Sequence, residues 1–298
     1  MSDVEIRSGI ELRKYTSFRC GGKARLFAEP SSPERVAELI NYAGENKIPV
    51  FVLGRGSNVL ISDDGFDGLV IHIGEAMSDI TVTDEEGGAL IKAGAGASLA
   101  RFGKTAVAHA LKGAEFCCGI PGSVGGAVYM NAGAYGRSIS DIARTVTYIE
   151  DGKVRTIDAS ECGFGYRQSV FEGKEDVVIL GFEAYLESGD KTAIEAYVEE
   201  LRSKRTSSQP LDVPSAGSTF KRPEGHFAGK LIEDCGLRGF ALDDSGAQVS
   251  PKHCGFVVNN GGRASAADIL KLINYVSDKV FDETGVRLER EVKLVGKF

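Results

Sequence analysis

Residues 119–136 read GIPGSVGGAVYMNAGAYG, the most glycine-rich stretch of the chain. Few small-residue segments this long are simple turns. Glycine has no Cβ, so its backbone takes angles closed to other residues and lets a neighbour approach closely. Pro121 fixes φ within the run. The pattern points to main chain lying bare against a cofactor. The other reading is close packing of a helix on a sheet, which glycine also permits.

A shorter glycine signal precedes it. Residues 49–53 form an apolar strand, followed by Gly54-Arg55-Gly56-Ser57-Asn58. Closely spaced glycines let backbone N–H groups converge on an anion, although an ordinary tight turn has the same composition. This is not the dinucleotide motif of a βαβ unit, because its third glycine would fall at Val59 and a strand follows, not a helix. Gly103-Lys104-Thr105 imitates the end of a P-loop. The glycine required five positions earlier is Ser98, and the tripeptide lies inside an amphipathic helix.

The 38 glycines, roughly double the usual share, follow no fixed period, which excludes collagen. The net charge of −7 and the lack of a basic stripe argue against non-specific nucleic-acid binding. With 298 residues the chain exceeds one typical domain. Cys20, Cys117, Cys118, Cys162, Cys235 and Cys254 include no Cys-x-x-Cys pair, and no histidine stands at zinc-finger spacing, so no metal site is expected. They read as small buried thiols in a reducing compartment; the vicinal Cys117–Cys118 pair leaves a redox role open. Residues 1–13 lack the apolar core of a signal peptide, and no apolar run is long enough to span a bilayer, so a cytoplasmic protein is expected.

Helices are predicted over 33–47, 98–111, 192–205, 226–235 and 266–283, each from apolar residues at helical spacing or a terminal glycine. Ser32 and Pro33 start the first, and Gly285 ends the last. Hairpins are predicted at 80–93, turned at Glu86-Gly87-Gly88, and at 144–157, turned at Asp151-Gly152. Residues 177–186 make a strong strand, and 286–295 a closing one. The polar run 206–210 marks the junction between a domain of residues 1–205 and one of 206–298.

Several segments, in chain order, then resemble one family. These are Thr16-Ser17-Phe18-Arg19-Cys20-Gly21-Gly22, Gly54-Arg55-Gly56-Ser57-Asn58, residues 120–136, Gly165-Tyr166-Arg167-Gln168-Ser169, Ala216-Gly217-Ser218-Thr219-Phe220-Lys221 and Leu288-Glu289-Arg290-Glu291-Val292. The chain resembles the UDP-N-acetylenolpyruvoylglucosamine reductases of peptidoglycan precursor synthesis over nearly its whole length. The resemblance implies an α+β fold: an FAD-binding domain of the vanillyl-alcohol-oxidase/PCMH type, built of two α+β subdomains, then a smaller α+β substrate-binding domain. It implies non-covalent FAD, NADPH as co-substrate, and reduction of the enolpyruvyl sugar nucleotide to UDP-N-acetylmuramate. His72, His109, His226 and His253 give no reason to expect a covalent flavin.

By the same resemblance, FAD is held by Gly54, Arg55, Gly56, Ser57, Asn58 and Val59, and by Gly119, Ile120, Pro121, Gly122, Ser123, Gly125, Gly126, Asn131, Ala132 and Gly133. Arg167, Ser218 and Glu291 match the family's catalytic positions. Arg167 suits a two-point clamp on the substrate carboxylate. Ser218 matches the proton donor; its bland alternative is a turn serine bonding its own backbone. Glu291 points away from the apolar face of its strand, which fits a cleft and solvent equally. Tyr135, Lys221, Arg222, Lys230 and Asn259 are candidate substrate contacts. Some family members carry Asn where this chain has Arg222, which leaves the UDP diphosphate as an alternative partner for it. No extra nucleotide-covering loop is found between Val177 and Pro210, as in the family's shorter subtype. The alternatives are another flavoenzyme of the same scaffold, acting on a hydroxy acid or sugar lactone, and a non-catalytic nucleotide-sugar-binding protein.

Overall fold

A computed structural model describes residues 5–174 and 176–298. The first four residues of the expected N-terminal domain, and Glu175, lie outside the described residues. The chain divides into two compact units. The first comprises the chain as far as Arg7, Leu26–Arg55 and Gly68–Lys204; the second comprises Ser8–Arg25, Gly56–Asp67 and Arg205–Phe298.

In the first unit, helix α1 spans Pro33–Glu45, capped by Ser32, whose Oγ accepts from the Arg35 N–H. Its buried face, Val36, Leu39, Ile40 and Ala43, packs with Leu69 and Ile71. Leu69 and Ile71 lie on the strand Phe66–His72, which pairs in parallel with Val50–Leu53. A second, antiparallel sheet has the order Lys153–Asp158, Ala143–Glu150, Val178–Ser188, Gly88–Gly94, Ile80–Glu85, with Leu111–Lys112 also on the central strand. Both predicted hairpins are present, with Gly87 and Gly152 at positive φ in their turns. Helix α2, Leu99–Ala108, lies on this sheet through Phe102, whose ring centroid is 5.0 Å from that of Phe182. The predicted helix end at Leu111 moves back because Ala110 takes φ 56.

The central strand has a β-bulge that its apolar run conceals. Register steps from Thr147↔Gly181 to Tyr148↔Ile179, leaving Leu180 as the extra residue. The alternation of faces is thereby inverted. Ile179, Phe182, Ala184 and Leu186 share one core, and Val178 and Leu180 join the other, beside α1. Within the glycine run the chain forms helix α3, Val124–Tyr129. Helix α4 spans Lys191–Ser208, so most of the polar run 206–210 forms its last turn, and Pro210 follows the stop. Serine and threonine are only weakly unfavourable in helices.

In the second unit, helix α5 is Ala228–Asp234 and helix α6 is Ala266–Thr284. Ile269, Leu272, Ile273, Val276 and Val280 of α6 are fully buried among Phe18, Leu60, Ile232 and Val249. Ser265 and Asp268 form a capping box at its start, and Gly285 at φ 73 closes it. Asp63 adds a long-range cap: its two carboxylate oxygens accept from the Ala266 and Ala267 N–H groups at 2.8 and 2.9 Å. The predicted closing strand is shorter than its alternation suggests. Only Lys293–Val295 joins a ladder, parallel to Val59–Ile61, while Arg290 makes an isolated bridge to Phe220. The segment changes partner midway, which breaks a continuous ladder.

Candidate active site

In the first unit Gly54, which opens the shorter glycine signal, meets the longer glycine run. Gly54 follows the strand Val50–Leu53 and sits so close to Ser123 that a Cβ would overlap the serine hydroxyl. The same Oγ accepts from the Gly126 N–H across 3.3 Å, capping α3. The Val124 and Gly125 N–H groups donate to the carbonyls of Ala97 and Ala95 at 2.8 and 2.9 Å. A Cβ at Gly125 would lie 2.9 Å from that of Ala95. A Cβ at Gly133 would overlap the Arg137 carbonyl oxygen in the small hairpin Gly133–Ala134 and Arg137–Ser138. Close packing therefore accounts for Gly54, Gly125 and Gly133.

Packing leaves accessible backbone beside these contacts. Gly119 and Gly126 are exposed, and Gly122, at φ 131, is half-buried. The N–H groups of Gly54 and Gly122 make no hydrogen bond among the described residues. Uncommitted donors without side chains in front of them suit an anionic diphosphate, so the donor set of this unit fits FAD.

Arg167 stands in a tight turn closed by hydrogen bonds between Gly165 and Gln168 at 3.1 and 3.3 Å. Its φ is 55, a region that favours glycine and costs an L-residue about 1–2 kcal/mol. One guanidinium N–H donates to the Gly133 carbonyl at 3.0 Å, and the guanidinium carbon lies 5.2 Å from the Tyr166 ring centroid. Asn131, also at positive φ and buried, donates to the Gly165 carbonyl at 2.9 Å. It thus ties the glycine run to the turn that carries Arg167. Tyr135 has φ 56 and donates its hydroxyl to the Leu201 carbonyl on α4 at 3.2 Å. Non-glycine residues with positive φ gather at strained sites held for function.

In the second unit, Gly56 at φ 60 lies against Tyr15, and its carbonyl accepts from the Ser17 N–H and hydroxyl at 3.0 and 3.2 Å. The bracing role of Ser17 has no local signal in the sequence. The Asn58 carboxamide donates to the Glu291 carbonyl at 3.2 Å, and the Lys293 N–H donates to the Asn58 carbonyl at 3.0 Å. Asn58 is therefore engaged with the closing segment through both side chain and backbone. Val59 begins the paired strand Val59–Ile61.

The same unit brings Ser218 and Glu291 together. The Glu291 N–H donates to the Thr219 carbonyl at 2.9 Å, and the Lys221 N–H to the Glu289 carbonyl at 2.8 Å. Ser218 follows Gly217, whose φ is 75; it is exposed, and its hydroxyl makes no hydrogen bond among the described residues. It is not a turn serine bonded to its own backbone. Glu291 is half-buried. The Lys221 ammonium pairs with the Glu289 carboxylate at 2.7 Å, and Lys230 pairs with Asp234. Arg222 is exposed and donates through Nε to the His226 carbonyl at 3.3 Å. Asn259 departs from the sequence reading. It is fully buried; both its N–H donors are taken by the carbonyls of Phe18 and Ala264, and its Oδ1 accepts from the Ala264 N–H. No side-chain donor remains for a substrate, so Asn259 is a frame residue.

All the cysteines are free thiols. Burial pushes Cys20 up to about 12 and Cys118 up to about 11, and holds Cys117 far above the usual range. The thiolate is the reactive form, and burial disfavours it at both members of the vicinal pair. Among the described residues no group of His, Cys, Asp and Glu is arranged to hold a metal, and no helix is long and apolar enough to cross a membrane.

Comparison with known proteins adds to this geometry. A family model described as an FAD binding domain matches residues 24–158, and one described as the UDP-N-acetylenolpyruvoylglucosamine reductase C-terminal domain matches residues 209–295. A UDP-N-acetylenolpyruvoylglucosamine reductase of Agathobacter rectalis is 48% identical, covering 96% of this chain and 93% of that protein. One of Listeria welshimeri is 44% identical over 99% of this chain and 96% of that protein. The crystal structure of UDP-N-acetylenolpyruvylglucosamine reductase (MurB) from Thermus caldophilus superposes with a TM-score of 0.81, at 32% identity and 99% coverage of both chains.

Proposed function

Because this chain belongs to the UDP-N-acetylenolpyruvoylglucosamine reductase family, we propose that Arg167, Ser218 and Glu291 serve its reaction. The enzyme is an FAD-dependent oxidoreductase that reduces UDP-N-acetylenolpyruvoylglucosamine to UDP-N-acetylmuramate with NADPH, in peptidoglycan precursor synthesis. When bound, FAD supplies a two-electron hydride carrier between NADPH and the substrate's carbon–carbon double bond.

Reduction adds a hydride to the methylene carbon and a proton to the carbon bearing the carboxylate. After hydride addition, negative charge builds beside that carboxylate, so fixed cations and hydrogen-bond donors lower the barrier. Arg167 holds the carboxylate through a pair of parallel N–H bonds, and its guanidinium stays charged throughout. Ser218 delivers the proton. A hydroxyl is a weak acid, yet the enolate-like carbon is a much stronger base, so transfer is downhill once the hydroxyl is in reach. Glu291 orients the groups around that transfer. Lys221, Arg222, Lys230 and Tyr135 are the further residues we assign to binding the anionic sugar nucleotide. The glycines and neighbouring residues of 54–59 and 119–133 hold FAD non-covalently. We assign FAD binding to residues 1–205 and substrate binding to 206–298, supported by the family matches at 24–158 and 209–295. The strand Val178–Ser188 leads directly into α4, in accord with the shorter subtype. A cytoplasmic location accords with this reaction.

The observation that carries the reading is the pairing of Thr219 with Glu291, which fixes the exposed, uncommitted hydroxyl of Ser218 beside that carboxylate's segment. Anaerobic titration is the test. NADPH should bleach the flavin bands of the purified holoenzyme, and UDP-N-acetylenolpyruvoylglucosamine should restore them with formation of UDP-N-acetylmuramate. Bleaching by a hydroxy acid or a sugar lactone but not by NADPH, or no bleaching at all, would overturn it.

A further inference from the structure

Beyond Lys221 the second unit presents an aromatic plane that the chemistry above does not use. Phe227 is 62% exposed, the most exposed large hydrophobic side chain among the described residues. A single exposed apolar residue is ordinary; this one is organised. The Arg222 guanidinium carbon lies 3.9 Å from its ring centroid. Arg222 is itself anchored by its Nε–H to the His226 carbonyl. Gly225, at φ 72, turns the loop back so that residues 222 and 227 meet. A cation–π contact at this distance fixes a positive charge and a ring face beside one another.

The position along the chain gives the arrangement a ligand. Residues 219–221 run extended opposite 289–291, with alternating hydrogen bonds and the Phe220–Arg290 bridge. Ser218 and Arg222 are four residues apart, a reach of at most about 13 Å for the chain between them. The segment therefore offers a hydroxyl, then cations, then an aromatic plane. The substrate offers an enolpyruvyl group, then a diphosphate, then a pyrimidine base, in the same order. We propose that Phe227 is the platform on which the uracil base stacks, with Arg222 meeting the diphosphate next to it. This rests on the assignment of Ser218 to the reacting end of the substrate.

The test uses FAD-loaded enzyme. UDP and inorganic pyrophosphate are titrated calorimetrically into the wild type, Phe227→Ala and Phe227→Tyr. Stacking of one base on an aromatic side chain predicts about a tenfold weaker Kd for UDP in Phe227→Ala. Phe227→Tyr should bind UDP like the wild type, and pyrophosphate affinity should be the same in all three. KM for the sugar nucleotide should rise in Phe227→Ala in step with the UDP Kd, with little change in kcat. Unchanged UDP affinity in Phe227→Ala overturns the proposal, as does a pyrophosphate loss as large as the UDP loss. Either result in an enzyme whose flavin is still reoxidised by the substrate removes the platform alone. Failure of wild-type reoxidation removes the parent assignment instead.

Discussion

The Glu291 N–H donates to the Thr219 carbonyl across 2.9 Å, so the neighbour of Ser218 and a residue near the chain terminus are locked face to face. That lock holds the backbone of Ser218 without using its hydroxyl. Ser218→Ala should therefore leave the fold, FAD content and NADPH-driven flavin reduction near normal. Reoxidation by the sugar nucleotide should slow by roughly 10²–10⁴-fold, the usual contribution of a positioned general acid. Rapid-mixing of each half-reaction checks this, and equal losses in both would remove Ser218 from the donor role.

Arg167→Lys keeps the charge and meets the same backbone strain at φ 55, so it isolates the shape of the head group. Loss of two-point carboxylate binding should lower kcat/KM for the sugar nucleotide by about 100-fold, roughly 2.7 kcal/mol. The rate of flavin reduction by NADPH should be retained. A loss below threefold would mean that a simple positive charge suffices.

Gly54→Ala should drive a methyl group into the Ser123 hydroxyl. The purified variant should lose FAD on dilution, with the Kd for FAD raised at least tenfold. Ser123→Gly, which costs a helix N-cap only a few tenths of a kcal/mol, removes the obstacle. Combined with Gly54→Ala it should recover most of the affinity. A double variant no better than Gly54→Ala would show that the overlap is not the cause.

Asp63 caps α6 from outside the helix through both carboxylate oxygens. Asp63→Ala should destabilise the protein by about 1–2 kcal/mol, which corresponds to a fall in Tm of roughly 2–8 °C. The Ser265–Asp268 box remains in place, so the helix should persist by circular dichroism. An unchanged Tm would assign the whole N-terminal cap to that box.

Burial lowers the pKa of His253 from its ordinary 6.5, and its Nδ1 accepts from the Gly255 N–H at 3.1 Å. The folded state thus favours the neutral ring, while the unfolded chain takes up a proton more readily. The associated stability is complete above about 6.5 and is lost as pH falls from there through the lower folded pKa. His253→Gln keeps an acceptor without titrating. Its Tm should fall less than that of the wild type between pH 7.5 and 5.5. Parallel Tm profiles would show that other groups dominate this range.

Much of the fold was legible because its signals are local. The stripe of α6, the Ser32 cap and the glycine turn at Gly152 depend on residues within a few positions of one another. The proposal for Arg167, Ser218 and Glu291 rests on the motifs around them. Asn259 misled because its residue type suits a ligand as well as a frame; only the carbonyls of Phe18 and Ala264, brought to it by folding, decide its role.

The sequence alone determined the helix stripes, the hairpin turns and the need for bare backbone in the glycine run, because sterics and periodicity act between near neighbours. Tertiary structure decided which glycines pack and which leave open donors. It decided the bulge at Leu180, the Asp63 cap on α6 and the placement of Phe18 and Leu60 in the C-terminal core. Each of these depends on atoms far apart in the chain. Their meeting is set by burial and hydrogen-bond satisfaction across the fold, which no window of neighbouring residues encodes.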